Sequence, residues 1–242
     1  MKPIAIVQAR MSSTRLPGKV LKELAGQTVL DYVICRCRLS RRLADVIVAT
    51  TDEPADDAIV AWARSMGIGV FRGSRDDVLD RYVHAALGAG ADPIIRITSD
   101  CPLIEPAIID EVLDSCERTG AEFIWCDGFP RGSGDAELVT LPALRRAWQA
   151  TRPDEACYRE HVITYHWRHP ELFRHHVVKA PEAVRALDYR LCVDEEDDLR
   201  AIRLICAHFA PRIDFDLSEI ADYLGQHPEV AAINRHVVQK PV

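Results

Sequence analysis

The 242-residue sequence lacks any hydrophobic run near the roughly 18 residues that a membrane-spanning helix requires, so no membrane association is expected. Its start, MKPIAIVQAR, enters a short apolar run that is too brief for a secretory signal, which makes a cytoplasmic protein the expectation. Positive charge is also in short supply, since 30 Lys and Arg face 37 Asp and Glu for a net charge of -7. No general field attracts nucleic acid, no nucleic-acid partner is expected, and basic residues must act in local clusters. None of the eight cysteines, at 35, 37, 101, 116, 126, 157, 192 and 206, forms a CxxC pair, and most lie in apolar runs, so reduced buried thiols are expected. His161, His166 and His169 lack cysteine or carboxylate partners at matching intervals, which argues against a structural zinc site. Neither GxxxxGK[ST] nor GxGxxG occurs, which speaks against a P-loop or a dinucleotide fingerprint.

What is present is a chain that is 48% hydrophobic, enough for one large α/β domain over residues 1–242. Apolar runs at 4–7, 45–50, 68–71 and 93–98 alternate with helical patterns at 28–40, 54–66, 76–87 and 106–118. That alternation predicts βαβ units and a buried parallel sheet, with ligands beyond the carboxyl ends of its strands. Past residue 120 the rhythm changes. Strands are predicted at 121–126, 172–178 and 188–193, and helices at 142–150, 155–167, around 199–209 and at 217–224. The Gly-rich DGFPRGSGD, 127–135, reads as a long loop, and 127–187 as a small lobe inserted over the sheet. Tyr165, Trp167 and Phe173 offer either core packing or a homodimer interface.

Three features carry chemistry. The loop QARMSSTRLPGK, 8–19, gathers Arg10, Arg15 and Lys19 just after a strand, where cations and backbone N–H groups can surround phosphate oxygens; a solvated surface loop is the structural alternative. TSDCPLI, 98–104, places Asp100 at a strand exit, where a carboxylate holds Mg2+ or merely shapes a turn. VDEEDD, 193–198, does the same for Asp194, while Asp197 and Asp198 complement the dipole of the helix that follows. A cation loop with two strand-end aspartates points to a polyphosphate with Mg2+. Weaker candidates are Arg72, just after a strand, Arg81 in the charge-laced FRGSRDDVLDR, and Asp135 with Glu137, which would bind substrate hydroxyls, act as a base, or keep a loop soluble.

These residues resemble the cytidylyltransferases that activate acidic sugars, including the acylneuraminate and KDO enzymes, and most closely the spore coat polysaccharide biosynthesis branch. The opening loop, VATTDEPADD (48–57), VFRGSRDDVLDRY (70–82), IIRITSDCPLI (94–104), REHVITY (159–165) and VDEEDDL (193–199) occur in the family's order. The resemblance implies a Rossmann-like nucleotidyltransferase fold of the glycosyltransferase-A type, with CTP and Mg2+ as reactants. It assigns nucleotide or phosphate binding to Ala9, Arg10, Arg15 and Lys19, and to Arg72 by motif position alone. Asp100 and Asp194 take the metal positions, and Arg81, like Arg72, matches by motif position alone as a nucleotide or acceptor contact. Ser12 and Ser99 stand where glycines are common, and FPRGSGDAELVT replaces an expected Pro-Gly-Asp pattern. The implied reaction transfers CMP from CTP to a sugar, sugar-acid, phosphate or phosphonate acceptor. A glycosyltransferase using a nucleotide-sugar and a non-catalytic nucleotide-binding regulator are the alternatives.

Overall fold

Alternation along the first strand sets the layout. In the computed structural model, which describes residues 1–239, β1 (Ile4–Gln8) turns Ile4 and Ile6 to one face of the sheet and Ala5 and Val7 to the other. Both faces are apolar, so both must be covered. A small hairpin, β2 (Glu23–Leu24) with β3 (Gln27–Thr28), leads into α1 (Val29–Arg38), which starts at a reciprocal cap between Thr28 and Asp31. Then follow β4 (Asp45–Thr51), α2 (Asp57–Ser65), β5 (Gly69–Gly73), α3 (Val78–Ala89), β6 (Ile94–Thr98) and α4 (Pro106–Thr119), in the order the sequence predicts. The second half contributes β7 (Phe123–Asp127), β8 (Glu137–Val139), α5 (Leu141–Ala150), α6 (Ala156–Arg159), α7 (Thr164–Arg168), β9 (His175–Lys179) and α8 (Glu182–Arg185). Helices α9 (Glu196–Phe209), α10 (Leu217–Gln226) and α11 (Pro228–Ala232) complete it.

The seven-stranded sheet has the order β5-β4-β1-β6-β8-β7-β9. Its first four strands run parallel, β9 is parallel to β7, and β8 alone opposes both of its neighbours. Helices α1, α2 and α4 cover the face that carries Ala5 and Val7, and α3 and α5 cover the other. A third cluster joins Val29 and Tyr32 of α1 to Leu199 and Ile202 of α9 and Ile220 of α10. The mainly parallel α/β sheet is the one expected.

Several local expectations change. Residues 188–193 are not a strand: the segment makes a single bridge, Arg190 to Arg131, and is fixed by the Leu191 N–H on the Arg131 carbonyl and the Val193 N–H on the Asp100 carbonyl, both 2.7 Å. Gly132 permits that approach, with φ of 91° and room for no side chain, since a Cβ there would lie 2.5 Å from the Leu191 carbonyl carbon. The stretch around Glu137, read as loop, is β8, whose three residues are too few to show a period. Because β8 and β9 belong to the central sheet, residues 127–187 are woven into it rather than simply laid over it. The single helix expected at 155–167 is two short ones, with buried Arg159 donating to the carbonyls of Trp148, Thr151 and Arg152 and pairing with Asp77 at 3.1 Å. Cys157 is exposed rather than buried, and Phe173 is core.

The carboxyl-end loops are anchored by a fully buried arginine. Arg36 of α1 donates to the carbonyls of Ile104, Ile213 and Phe215 at 2.7–2.8 Å, stacks 4.9 Å from the Phe215 ring and lies 3.4 Å from the Glu105 carboxylate. Arg36→Met keeps most of the volume but strands those acceptors, so it should destabilise the fold by about 3–5 kcal/mol. A urea unfolding midpoint equal to that of the wild type would contradict this.

Candidate functional site

The opening loop is shaped before any ligand enters. The Ala9 N–H extends the β1–β4 pairing by donating to the Ala49 carbonyl at 3.1 Å, and the loop closes through the Gly18 N–H on the Met11 carbonyl at 2.9 Å. From the neighbouring strand end, the buried Asp56 carboxylate accepts from the Met11 N–H at 2.7 Å, from the Thr51 N–H and from the hydroxyls of Thr50 and Thr51. Asp56 closes the 3-10 turn Pro54–Asp56, and no sequence signal sets it apart from the other acidic residues of TDEPADD.

The closed loop delivers Lys19 to the carboxyl edge of the sheet. Its ammonium, almost fully buried, donates to Asp100 at 3.0 Å, to Asp194 at 2.9 Å and to the Val193 carbonyl at 2.7 Å. All three of its N–H bonds are used. Arg15 reaches the same Asp194 oxygen at 2.9 Å, and Arg190 holds the other at 2.7 Å. Asp198 is fully buried beneath them, accepting from Arg190, from the N–H groups of Asp194 and Glu195 and from Asn234. Burial works to raise the Asp100 pKa, but the Lys19 charge and the bonds from Thr98 and Lys19 outweigh it and hold the group at about 2. Burial likewise opposes the Lys19 charge, yet Asp100 and Asp194 raise its pKa. The Lys19–Asp100 pair therefore stays ionised at neutral pH.

Two cavities adjoin at this cluster. The first, of about 370 Å³, is lined by Gln8, Ala9, Arg10, Arg15, Lys19 and Arg81; the second, of about 550 Å³, by Arg131, Asp135, Glu137, Trp167 and Arg168. Arg96, Thr98, Asp100, His161 and Asp194 face both. The arrangement can hold two ligands on either side of one pair of carboxylates.

Most of the candidates read from the sequence meet here. Arg10, Arg15, Lys19, Arg81, Asp100 and Asp194 share the first cavity with Ala9, and Asp135 and Glu137 share the second. Arg72 does not: it donates to the carbonyls of Thr51 and Glu53 and pairs with Asp57 at 2.6 Å, which makes it a latch on the turn between β4 and α2. Glu137 is tied to Arg96 at 2.9 Å, and burial raises its pKa against the pull of that arginine. Asp135 accepts from the Gly132 N–H at 2.9 Å and from the Cys101 thiol, and burial raises its pKa too. Arg96 escaped notice, although an arginine inside the apolar run PIIRIT was a visible signal. Gln8 and His161 lie in the matching motifs QARMSSTRLPGK and REHVITY, which leave their roles unassigned, and Arg131 and Arg168 carry no signal.

Two carboxylates that converge on one cation form a hard oxygen donor set, which fits a divalent cation such as Mg2+ that keeps waters and takes phosphate oxygens as its other ligands. Among the described residues no group of three His, Cys, Asp or Glu side chains gathers to hold a metal ion, and none of the helices is long and apolar enough to cross a membrane.

A model of the cytidylyltransferase family matches residues 4–222. An uncharacterized protein of Methanocaldococcus jannaschii is 36% identical over 99% of this chain and 97% of its own length. The spore coat polysaccharide biosynthesis protein SpsF of Bacillus subtilis is 35% identical over 93% of this chain and 95% of its own. The structure of a cytidylyltransferase from Leptospira borgpetersenii superposes with a TM-score of 0.88 at 30% identity, covering 100% of both chains. The fold is thus that of the nucleotidyltransferases, and the chain belongs to the cytidylyltransferase family of CTP-dependent nucleotidyltransferases.

Proposed function

We propose that the chain transfers CMP from CTP to a small acceptor, a sugar, sugar acid, phosphate or phosphonate, and releases pyrophosphate in the synthesis of a surface polysaccharide or glycoconjugate. The observation that carries this reading is the pair of cavities joined at Asp100 and Asp194. CTP occupies the first, with its phosphates among Arg10, Arg15 and Lys19, and the acceptor occupies the second. The similarity to SpsF supports the polysaccharide context.

Asp100 and Asp194 would hold Mg2+, which supplies charge neutralisation at the α-phosphate when bound. The chain's own cations do the rest. Arg10 donates to the departing pyrophosphate, Lys19 adds its charge while its N–H bonds stay on Asp100, Asp194 and Val193, and Arg15 orients the Asp194 carboxylate. The acceptor oxygen attacks the α-phosphorus from the second cavity as the bond to the pyrophosphate oxygen breaks. Where the acceptor is an alcohol, its proton passes to Asp135: Glu137 is committed to Arg96, whereas Asp135 faces the cavity without an arginine partner, and burial raises its pKa. An ionised phosphate acceptor needs no such transfer.

Asp100→Asn should leave the fold in place, because the backbone carbonyl that receives the Val193 N–H is retained. It should lower pyrophosphate release from CTP, assayed with panels of sugar acids, sugar phosphates and phosphonates, by about 10²- to 10³-fold. Release at the wild-type rate would sink the metal role, and consumption of a nucleotide-sugar without pyrophosphate would identify a glycosyltransferase instead. Asp135→Asn should slow turnover of an alcohol acceptor by about 10²- to 10⁴-fold while CTP binding is unchanged. Equal turnover in the two proteins would remove Asp135 from the reaction.

A further inference from the structure

Folded chains rarely leave buried polar atoms without partners, and here such atoms lie mostly in the first cavity. Among the described residues, Gln8 Oε1, Arg81 Nε and Arg96 Nε are buried and unpaired there, and Arg81 has one long hydrogen bond, 3.3 Å to the Ser74 carbonyl. His166, unpaired at both ring nitrogens, packs between Phe123 and Phe173 outside that cavity. A different residue, which belongs to none of the motifs, reaches both cavities: Gln239 lines the first and the second, as Asp100 and Asp194 do.

The chain brings Gln239 there by returning from α11 to the ion cluster. Buried Asn234 donates through its amide to the Arg190 carbonyl at 3.0 Å and to Asp198 at 2.9 Å. The Val237 N–H donates back to the Asn234 carbonyl at 3.0 Å, and His236 lies 3.4 Å from Asp197. The turn lays Gln239 on the guanidinium of Arg190, whose Nη1 donates to Gln239 Oε1 at 3.0 Å while its Nη2 holds Asp194 at 2.7 Å. A guanidinium only donates, so the carboxamide oxygen faces Arg190 and the amide nitrogen faces away from it. Among the described residues, that bond is the only one the Gln239 side chain makes, so both of its N–H donors are unspent.

We propose that Gln239 contacts the reacting phosphate, its amide N–H groups donating to a non-bridging oxygen of the α-phosphate. This rests on the CTP-transfer reading above. With CTP in the first cavity and the acceptor in the second, the phosphorus that passes between them stands at the junction that Gln239 lines. Asp100 and Asp194, at the same junction, are anions that repel phosphate oxygens unless a cation intervenes, and Arg96 is held by Glu137. Gln239 supplies a neutral donor, oriented by Arg190 before the phosphate arrives, so the contact needs little reorganisation. Because Arg190 also fixes Asp194, one guanidinium sets both a donor and a carboxylate at the junction.

Calorimetric titration of the full chain, in the presence of Mg2+, tests this without an acceptor. The ligands are CTP and the two diastereomers of its α-thio analogue, each with sulfur in place of one non-bridging α-oxygen. Sulfur is a weak acceptor, so in the wild type it should cost affinity at the oxygen that Gln239 contacts. Gln239→Met, which keeps the length and loses the amide, should weaken CTP on the order of 10-fold. In that variant the sulfur cost should shrink several-fold for one diastereomer and stay as it was for the other, the non-additivity expected of groups in contact. A role confined to supporting Arg190 would weaken all three ligands by one common factor, and that result would overturn the proposal. So would wild-type affinity for CTP in Gln239→Met, or a complete loss of binding, which exceeds what one side-chain amide supplies. No binding of CTP by the wild type would instead overturn the CTP-transfer reading.

Discussion

An ammonium group held between two carboxylates from distant parts of the chain is the constraint that organises the site. Lys19 joins Asp100, 81 positions away, to Asp194, 175 positions away. Buried charges are tolerated when they balance and when every donor is used. Here Lys19, Arg15 and Arg190 face Asp100, Asp194 and Asp198, and the backbone N–H groups of Asp194 and Glu195 complete the set. Asp194 is shared by Arg15, Lys19 and Arg190, so its loss would strand buried charge, whereas Lys19 keeps Asp194 as a partner if Asp100 is neutralised. The opening loop, the turn after β6 and the start of α9 are therefore fixed relative to one another by electrostatics, on top of what their apolar contacts supply.

The sheet explains why the cluster faces two cavities. Parallel strands β1, β4 and β6 end together, so the loops that follow them share one edge, where a ligand crosses the strand ends. Reversal of β8 then changes the neighbourhood of β6. Its antiparallel register sets Glu137 opposite Arg96, and the arginine stands as a charged partition between the two spaces instead of a counter-ion for phosphate. A parallel strand at that position would have brought its own carboxyl end to the edge and required a long crossover to reach it. The short reversed strand lets the Gly-rich loop of residues 127–135 close directly over the second cavity.

The fold was legible where the signal was local and periodic. Strands β1, β4 and β6 are apolar runs bounded by turns, and Asp100 was recognisable because it directly follows one. The same rule points to Asp194 although it does not apply: residues 188–193 make no strand, and the segment before Asp194 is held by the Leu191 N–H on Arg131, the Val193 N–H on Asp100 and the Lys19 ammonium, long-range bonds that no window of sequence contains. Arg72 shows the opposite error. Expected just after a strand, it lies inside β5, one residue from its end, and nearby carbonyls and Asp57 consume its donors. Position after a strand says that a side chain is near the edge, and its hydrogen-bond partners decide whether it is available.

Availability separates Arg81 from the other buried arginines. Arg36 and Arg159 spend their guanidinium groups on carbonyls and a carboxylate, which is the work of a structural arginine. Arg81 and Gln8 spend little, at a cost of about 1–3 kcal/mol for each buried group left unpaired. A chain that satisfies its polar groups elsewhere retains such a cost where a ligand recovers it, so a local break in an otherwise consistent structure marks a binding surface. Motif position raised Arg72 and Arg81 equally, and the accounting of donors and acceptors distinguishes them.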